Sequence, residues 1–168
     1  LTDATITSPA NNDILQYNSG TSKWVNTPLV SAVAGAAGPS FLVHKNGTLQ
    51  SVAASTNTKI TWSTETFDTN NNFASDRFTP TVAGKYLIQA HITTNEAIAS
   101  GTVVLARIYK NGAAVASGQI GGSAHSASGD VTAIVDMNGS TDYVEAYFYD
   151  TNASPAIYGP ADYTYFTG

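Results

Sequence analysis

Histidines, neighbouring carboxylates and a row of tyrosines are the residues from which this chain could build a reaction or a recognition surface. The histidines are His44, His91 and His125. His44 stands beside an Asn-Gly turn, His91 on the polar side of an alternating stretch, and His125 within the Gly- and Ser-rich run 121–129. A hydrolase needs a base, a nucleophile or two carboxylates held together. A zinc site needs histidines at short spacing, as in His-x-x-x-His. Neither pattern occurs, so each histidine reads as a solvent or interface residue. The absence of cysteine removes disulfides, thiol nucleophiles and thiolate metal ligands at once.

Asp142, Glu145 and Asp150 are close in sequence. They would serve glycoside chemistry only if the fold held two of them about 5–9 Å apart. Glu65 and Asp68 precede an asparagine run, Asn70-Asn71-Asn72. Oxygen donors in such a loop can hold calcium, but the acidic alternation of an EF-hand loop is missing, and Asn-rich turns ordinarily form Asx turns. The glycines at 118–122 are not followed by Lys-Ser or Lys-Thr and open no helix, so they are not a phosphate loop. No catalytic residue and no cofactor is expected, with calcium as the alternative at the Asp68 loop.

The tyrosines carry more information. Along residues 143–149, Tyr143, Glu145, Tyr147 and Tyr149 alternate with Val144, Ala146 and Phe148. The second set suits a core and the first a surface. Tyrosine joins apolar area to a polar tip, which fits a subunit interface or a sugar-stacking platform. The interface is the first choice, with Phe166 added to it. Binding residues also favour loops, which makes Asn95, Tyr158 and Asp162 the candidates for a recognition surface.

Strands must position these groups. Of the 168 residues only 11% are charged, against roughly 25% in an average soluble domain. Thr, Val, Ile and Tyr are abundant, which favours sheet over helix. Alternation is clear at Tyr86, Ile88, Ala90 and Ile92, and again at Val131, Ala133, Val135 and Met137. Asn46-Gly47 predicts a hairpin between residues 41–45 and 48–52, and Asn111-Gly112 one between 103–110 and 113–117. Residues 59–62, 143–149 and 163–167 read as further strands. Many short strands with frequent turns predict an all-β sandwich of jelly-roll type.

Residues 1–29 form a separate unit, with short strands at 13–17 and 23–26 joined by Asn18-Ser19-Gly20-Thr21. A lone hairpin is marginal in water, so this unit needs neighbours, and identical chains are the simplest supply. Residues 30–40, rich in Ala, Val and Gly, read as a neck or linker. Leu1-Thr2-Asp3 carries neither an initiator Met nor a signal pattern, and the chain is expected to be a piece of something longer. Net charge is −5, and the seven Lys and Arg are scattered, which argues against nucleic acid. No apolar stretch is long enough for membrane insertion.

The spacing of Trp62, Asp68, Phe73, Phe78, Gly84 and Tyr86 resembles the signature of the C1q-like domains, the trimeric jelly rolls related to tumour necrosis factor. The Tyr109-Lys110-Asn111-Gly112 turn and the closing Phe166-Thr167-Gly168 are similar to that family as well. The interval from Phe73 to Phe78 is two residues shorter than usual, and Ile88 and Ala90 stand where aromatics are common. The resemblance covers residues 41–168 and implies a C1q/TNF-like jelly-roll sandwich with a short N-terminal hairpin extension, trimeric and without enzymatic activity. Some members bind calcium. The opening segment looks like a short module repeated in phage and bacterial fibre proteins. Together these imply the homotrimeric tip of a virion fibre, or a protein on the outside of a bacterium. Such a tip would bind a host-surface glycan or protein and join other virion proteins through its N-terminus. The alternative is a purely structural fibre, head-decoration or spore-surface trimerisation domain.

Overall fold

The computed structural model describes residues 2–28, 38–121, 127–160 and 162–168. His125 and residues 30–37 of the expected neck lie outside the described residues. The chain divides into two compact units, residues 1–38 and 39–168.

The first unit is a three-stranded sheet of β1 (Ala4–Thr5), β2 (Asp13–Asn18) and β3 (Lys23–Pro28). β2 and β3 form the expected hairpin, in register from Asp13↔Pro28 to Asn18↔Lys23. Its turn is set by Asn18 Oδ1, which accepts the amides of Gly20 and Thr21 at 3.0 and 3.2 Å. β1 is an additional strand, parallel to β3. Asn26 ties it down: its Oδ1 accepts Thr7 N at 2.8 Å, and its Nδ2 donates to Thr7 O and to Asp13 Oδ2. These bonds to Ala10 N and Asn26 hold the Asp13 carboxyl below its ordinary pKa. No described residue of this sheet is buried; Ile6, Leu15, Tyr17 and Trp24 are all exposed.

The second unit holds β4 (Phe41–His44), β5 (Gln50–Ser51), β6 (Thr58–Lys59), β7 (Thr64–Asp68), β8 (Phe73–Ala74), β9 (Arg77–Phe78), β10 (Ala83–Thr93), β11 (Val104–Lys110), β12 (Ala113–Gln119), β13 (Ser128–Asn138), β14 (Val144–Asp150), β15 (Ala156–Ile157) and β16 (Tyr165–Thr167). They form a five-stranded sheet of order β13-β10-β16-β4-β7 and a six-stranded sheet of order β12-β11-β14-β9-β8, with β6 also on β14. β15 and β5 make a small ribbon. This is the expected all-β sandwich; among the described residues there is no helix, hence none able to cross a membrane.

The alternating strands explain the core. Ile88, Ala90 and Ile92 of β10, Val131, Val135 and Met137 of β13, Val104, Ala106 and Ile108 of β11, and Val144, Ala146 and Phe148 of β14 all point between the sheets and are buried. An aromatic cluster closes one end. Phe41 stacks on Phe78 and Phe73 at 4.4 and 5.1 Å, and Trp62 stacks on Phe166 at 5.8 Å. Each full burial of such a side chain contributes roughly 1.5–3 kcal/mol. This unit therefore has a buried core within a single copy.

Two expectations are corrected. The turn at Asn46-Gly47 has the predicted backbone, with φ of 44° and 87° and Thr48 N bonded to Lys45 O. Its flanks do not pair with each other: β4 runs between β16 and β7, while β5 pairs with β15. Both edges of β4 are already taken, by β16 and β7, and Gln50 bonds elsewhere: its Oε1 accepts Thr61 N and Lys45 Nζ, and its Nε2 donates to Lys59 O. The strand expected at 59–62 covers only Thr58–Lys59, and a separate one begins at Thr64. The Asn111-Gly112 hairpin forms as expected, with a register shift between Ile108 and Tyr109.

Candidate functional site

β14 has one face in the core, so Tyr143, Glu145, Tyr147 and Tyr149 lie on the outer face of the six-stranded sheet, beside Leu105, Arg107 and Tyr109 of β11. Backbone register aligns Ser117, Arg107, Tyr147 and Lys59 in one row across β12, β11, β14 and β6. Tyr147 thus sits between two cationic residues and stacks on Tyr109 at 4.0 Å between ring centres.

Glu145 has only 3% of its side chain exposed, and Lys59 Nζ at 2.7 Å and Arg77 Nη2 at 3.0 Å both pair with its Oε1. An acid so enclosed needs such partners, because burying an unpaired carboxylate costs several kcal/mol or more. Lys59 also donates to Ser75 O, and the Arg77 guanidinium lies 4.1 Å over the Tyr143 ring. Burial, reinforced by the Glu145 charge, pushes the Tyr147 hydroxyl above its ordinary pKa. Arg107 lies over Tyr149 and donates through Nη1 to Asn57 Oδ1 at 3.0 Å; its Nε is buried and has no hydrogen-bond partner among the described residues. Three cations against one carboxylate leave this face with an excess of two positive charges. Chemically it offers aromatic ring surface and a guanidinium without a carboxylate partner.

Other expected residues fall elsewhere. Phe166 is corrected outright. It is fully buried between Trp62 and Phe41 within its own chain, so it has no surface left for a partner. Phe73, Phe78 and Tyr86 join the same aromatic cluster. Tyr86 also donates to Val82 O at 2.8 Å. Gly84 lies at the start of β10 with room for a side chain. Asp68 organises a turn: its Oδ1 accepts Asn72 N and its Oδ2 accepts Phe73 N, while Asn70 and Asn71 take φ of 73° and 52°. That is the Asx geometry of an asparagine-rich turn. Among the described residues no three His, Asp or Glu side chains converge as metal ligands.

His44 and His91 flank Tyr165 on the outer face of the five-stranded sheet. The His91 ring stacks on Tyr165 and its Nδ1 meets Asp130 Oδ1 at 2.8 Å; His44 Nε2 meets Thr66 Oγ1 at 2.9 Å. Asp142 pairs with Lys110, and Asp150 faces inward from β14, opposite in direction to Glu145. The three carboxylates singled out by spacing therefore do not pair among themselves.

The carboxylates that do meet are Glu96 and Asp150. Burial, with added repulsion from Asp150, pushes Glu96 up to about 7. The Glu96 carboxylate accepts Ala156 N at 3.1 Å, and Asn95 N donates to Ala156 O at 2.9 Å, so the loop after β10 and the approach to β15 are bonded together. Asn95 and Asp162 are exposed there, and half-buried Tyr158 packs edge-on against Tyr163. Glu96 carried no signal in sequence, because its partners Asp150 and Ala156 lie far along the chain, in β14 and β15. Lys45 is also fully buried; Thr61 O accepts its Nζ at 2.9 Å, and desolvation lowers its pKa.

No family model and no curated protein matches the chain. Solved structures do. Murine APRIL superposes with a TM-score of 0.55 at 10% identity, over 77% of this chain and 96% of that one. The Eiger TNF of S. frugiperda gives 0.52 at 12% identity, over 77% and 90%. At such identities the likeness establishes the fold alone: a tumour-necrosis-factor-like jelly roll.

Proposed function

We propose that the chain works as a non-catalytic homotrimer: the tip of a fibre on a virion, or on the outside of a bacterium, that binds the surface of a host cell. One observation carries the assembly. On the outer face of the five-stranded sheet, Leu87 and Ile134 are directly paired across β10 and β13 and are 63% and 71% exposed. Phe67, opposite Leu42 on the β7 side of the same sheet, is 45% exposed. Alternation should put polar residues at these positions, and such apolar exposure marks an interaction face. The first unit, a sheet with no buried residue, has the same need for company. Copies of the chain supply both at once, which supports self-association through this sheet rather than through the expected row of Tyr143, Tyr147 and Tyr149.

The fibre role is supported by this division into an extension and a jelly-roll head, with virion partners joined through the extension and a host glycan or protein met by the head. Sedimentation equilibrium at micromolar concentration should give three times the chain mass. The purified trimer should then compete with particles for adsorption to their host. A monodisperse, folded single chain removes the assembly. A trimer that never competes for adsorption leaves only a structural fibre or decoration role.

A further inference from the structure

We infer that the outer face of the six-stranded sheet, centred on Arg107 and Tyr147, is a binding site for an acidic saccharide whose carboxylate pairs with Arg107. The inference rests on the host-binding reading above and gives it a ligand class and a site. Charge is the first argument. The chain carries −5 overall, yet Lys59, Arg77 and Arg107 gather around the single acid Glu145. Lys59 and Arg77 are spent on Glu145. Arg107 is not: it has no carboxylate partner and gives one bond, through Nη1, to a neutral amide; its Nε is buried, so the outer Nη edge is what a ligand would meet. A guanidinium presents a fork that matches a carboxylate with two parallel bonds.

Ring surface is the second argument. Tyr149 lies under the Arg107 guanidinium, and Tyr147 follows Arg107 in the row that ends at Lys59. Neighbouring strands are about 4.8 Å apart, so the row from Arg107 to Lys59 spans about 10 Å, the reach of two pyranose rings. Tyrosine offers sugars both an apolar plate and a hydroxyl. Along β12 the row ends in Ser117, a small and exposed side chain, so nothing there stops a longer polymer from continuing past Arg107.

The test is titration of the purified full chain with oligogalacturonate and with oligosialate, and with maltooligosaccharide as the neutral probe. Saturable binding of at least one acidic probe, weakened by added salt and at least tenfold tighter than the neutral probe, is expected. Arg107→Ala should weaken it at least tenfold, and Arg107→Lys should recover only part. Ser117→Asp keeps Arg107 but supplies an internal carboxylate beside it, and should also abolish binding. All three variants should keep the unaltered chain's mass and melting temperature, which separates ligand loss from misfolding. Failure of both acidic probes to saturate, equal binding of the neutral one, or undiminished binding by the two variants overturns the site. If an Arg107→Ala trimer still blocks host adsorption, this inference falls and the fibre-tip reading stands. If the unaltered chain binds neither acidic probe nor host, both fall.

Discussion

Glu145 and Glu96 are both acids withdrawn from water, and they are predicted to respond in opposite ways to change. Glu145 is compensated by two cations, so removing it leaves Lys59 and Arg77 facing each other without a counter-charge. Breaking a buried pair costs about 3–5 kcal/mol when all partners are enclosed. Here Lys59 and Arg77 keep 26% and 40% of their side chains exposed and can regain water, so Glu145→Ala should cost about 2 kcal/mol in urea unfolding. Glu96 is uncompensated and faces another acid. Its folded pKa of about 7 exceeds the ordinary 4.5, so between those values the folded chain binds more protons than the unfolded one. Stability from this residue is therefore complete below about pH 4.5 and lost as pH rises to about 7. Because the group is partly exposed, solvent screening should hold the change to about 1 kcal/mol. Melting temperatures across this range should fall with pH, and Glu96→Gln should flatten that slope. Asp13 and Asp142, whose pKa values are lowered by hydrogen bonds, act in the other direction: their support is present above about pH 4 and lost on further acidification.

Among the elements, glycines separate what a turn requires from what a packed edge requires. Gly47 takes φ of 87° in open space, so Gly47→Ala costs only the left-handed conformation, about 1 kcal/mol. Gly118 has ordinary φ, yet a Cβ there would lie 2.0 Å from the Asp130 carbonyl oxygen. β12 and β13 close the sandwich at that point, backbone against backbone. Gly118→Ala must part the two sheets and should cost about 3 kcal/mol or prevent folding; guanidinium unfolding of both variants would rank them. The contrast marks what sequence could reveal. Positive φ at Asn46-Gly47 and Asn111-Gly112 was legible because it is a property of two residues. Whether the flanks then pair was not, because β16 and β7 take both edges of β4 and Gln50 bonds to Thr61 and Lys59, which no local pattern encodes. Alternation assigned the core faces of β10, β13 and β14 correctly for the same local reason. Glu145 could be placed on the outer face of β14, but its enclosure by β6 and β9 could not be read. Phe166 looked like an available aromatic until the packing of Phe41 and Trp62 around it was known.

On the scale of the whole chain, the two units differ in where their stability comes from. Residues 39–168 have a buried core, whereas the sheet of residues 4–28 has hydrogen bonds and one aromatic pair, Tyr17 with Trp24, but nothing enclosed. A sheet like that gains too little from burial to offset the entropy of ordering its residues. If it is ordered, association must supply the difference, and chains held together by their heads would present their extensions to one another at about millimolar effective concentration. Order in the extension should thus depend on a residue in the other unit. Ile134→Asp puts a charge on the exposed face of β13, touching no core contact, so the jelly roll should melt within about 1 kcal/mol of its original stability. The same change should reduce the particle to a single chain. Trp24 emission should then shift toward that of free tryptophan, and the β2 and β3 amides should exchange with solvent at nearly unprotected rates. Retained Trp24 emission in a proven single chain would mean that the extension folds by itself, and the argument that links its order to assembly would be wrong.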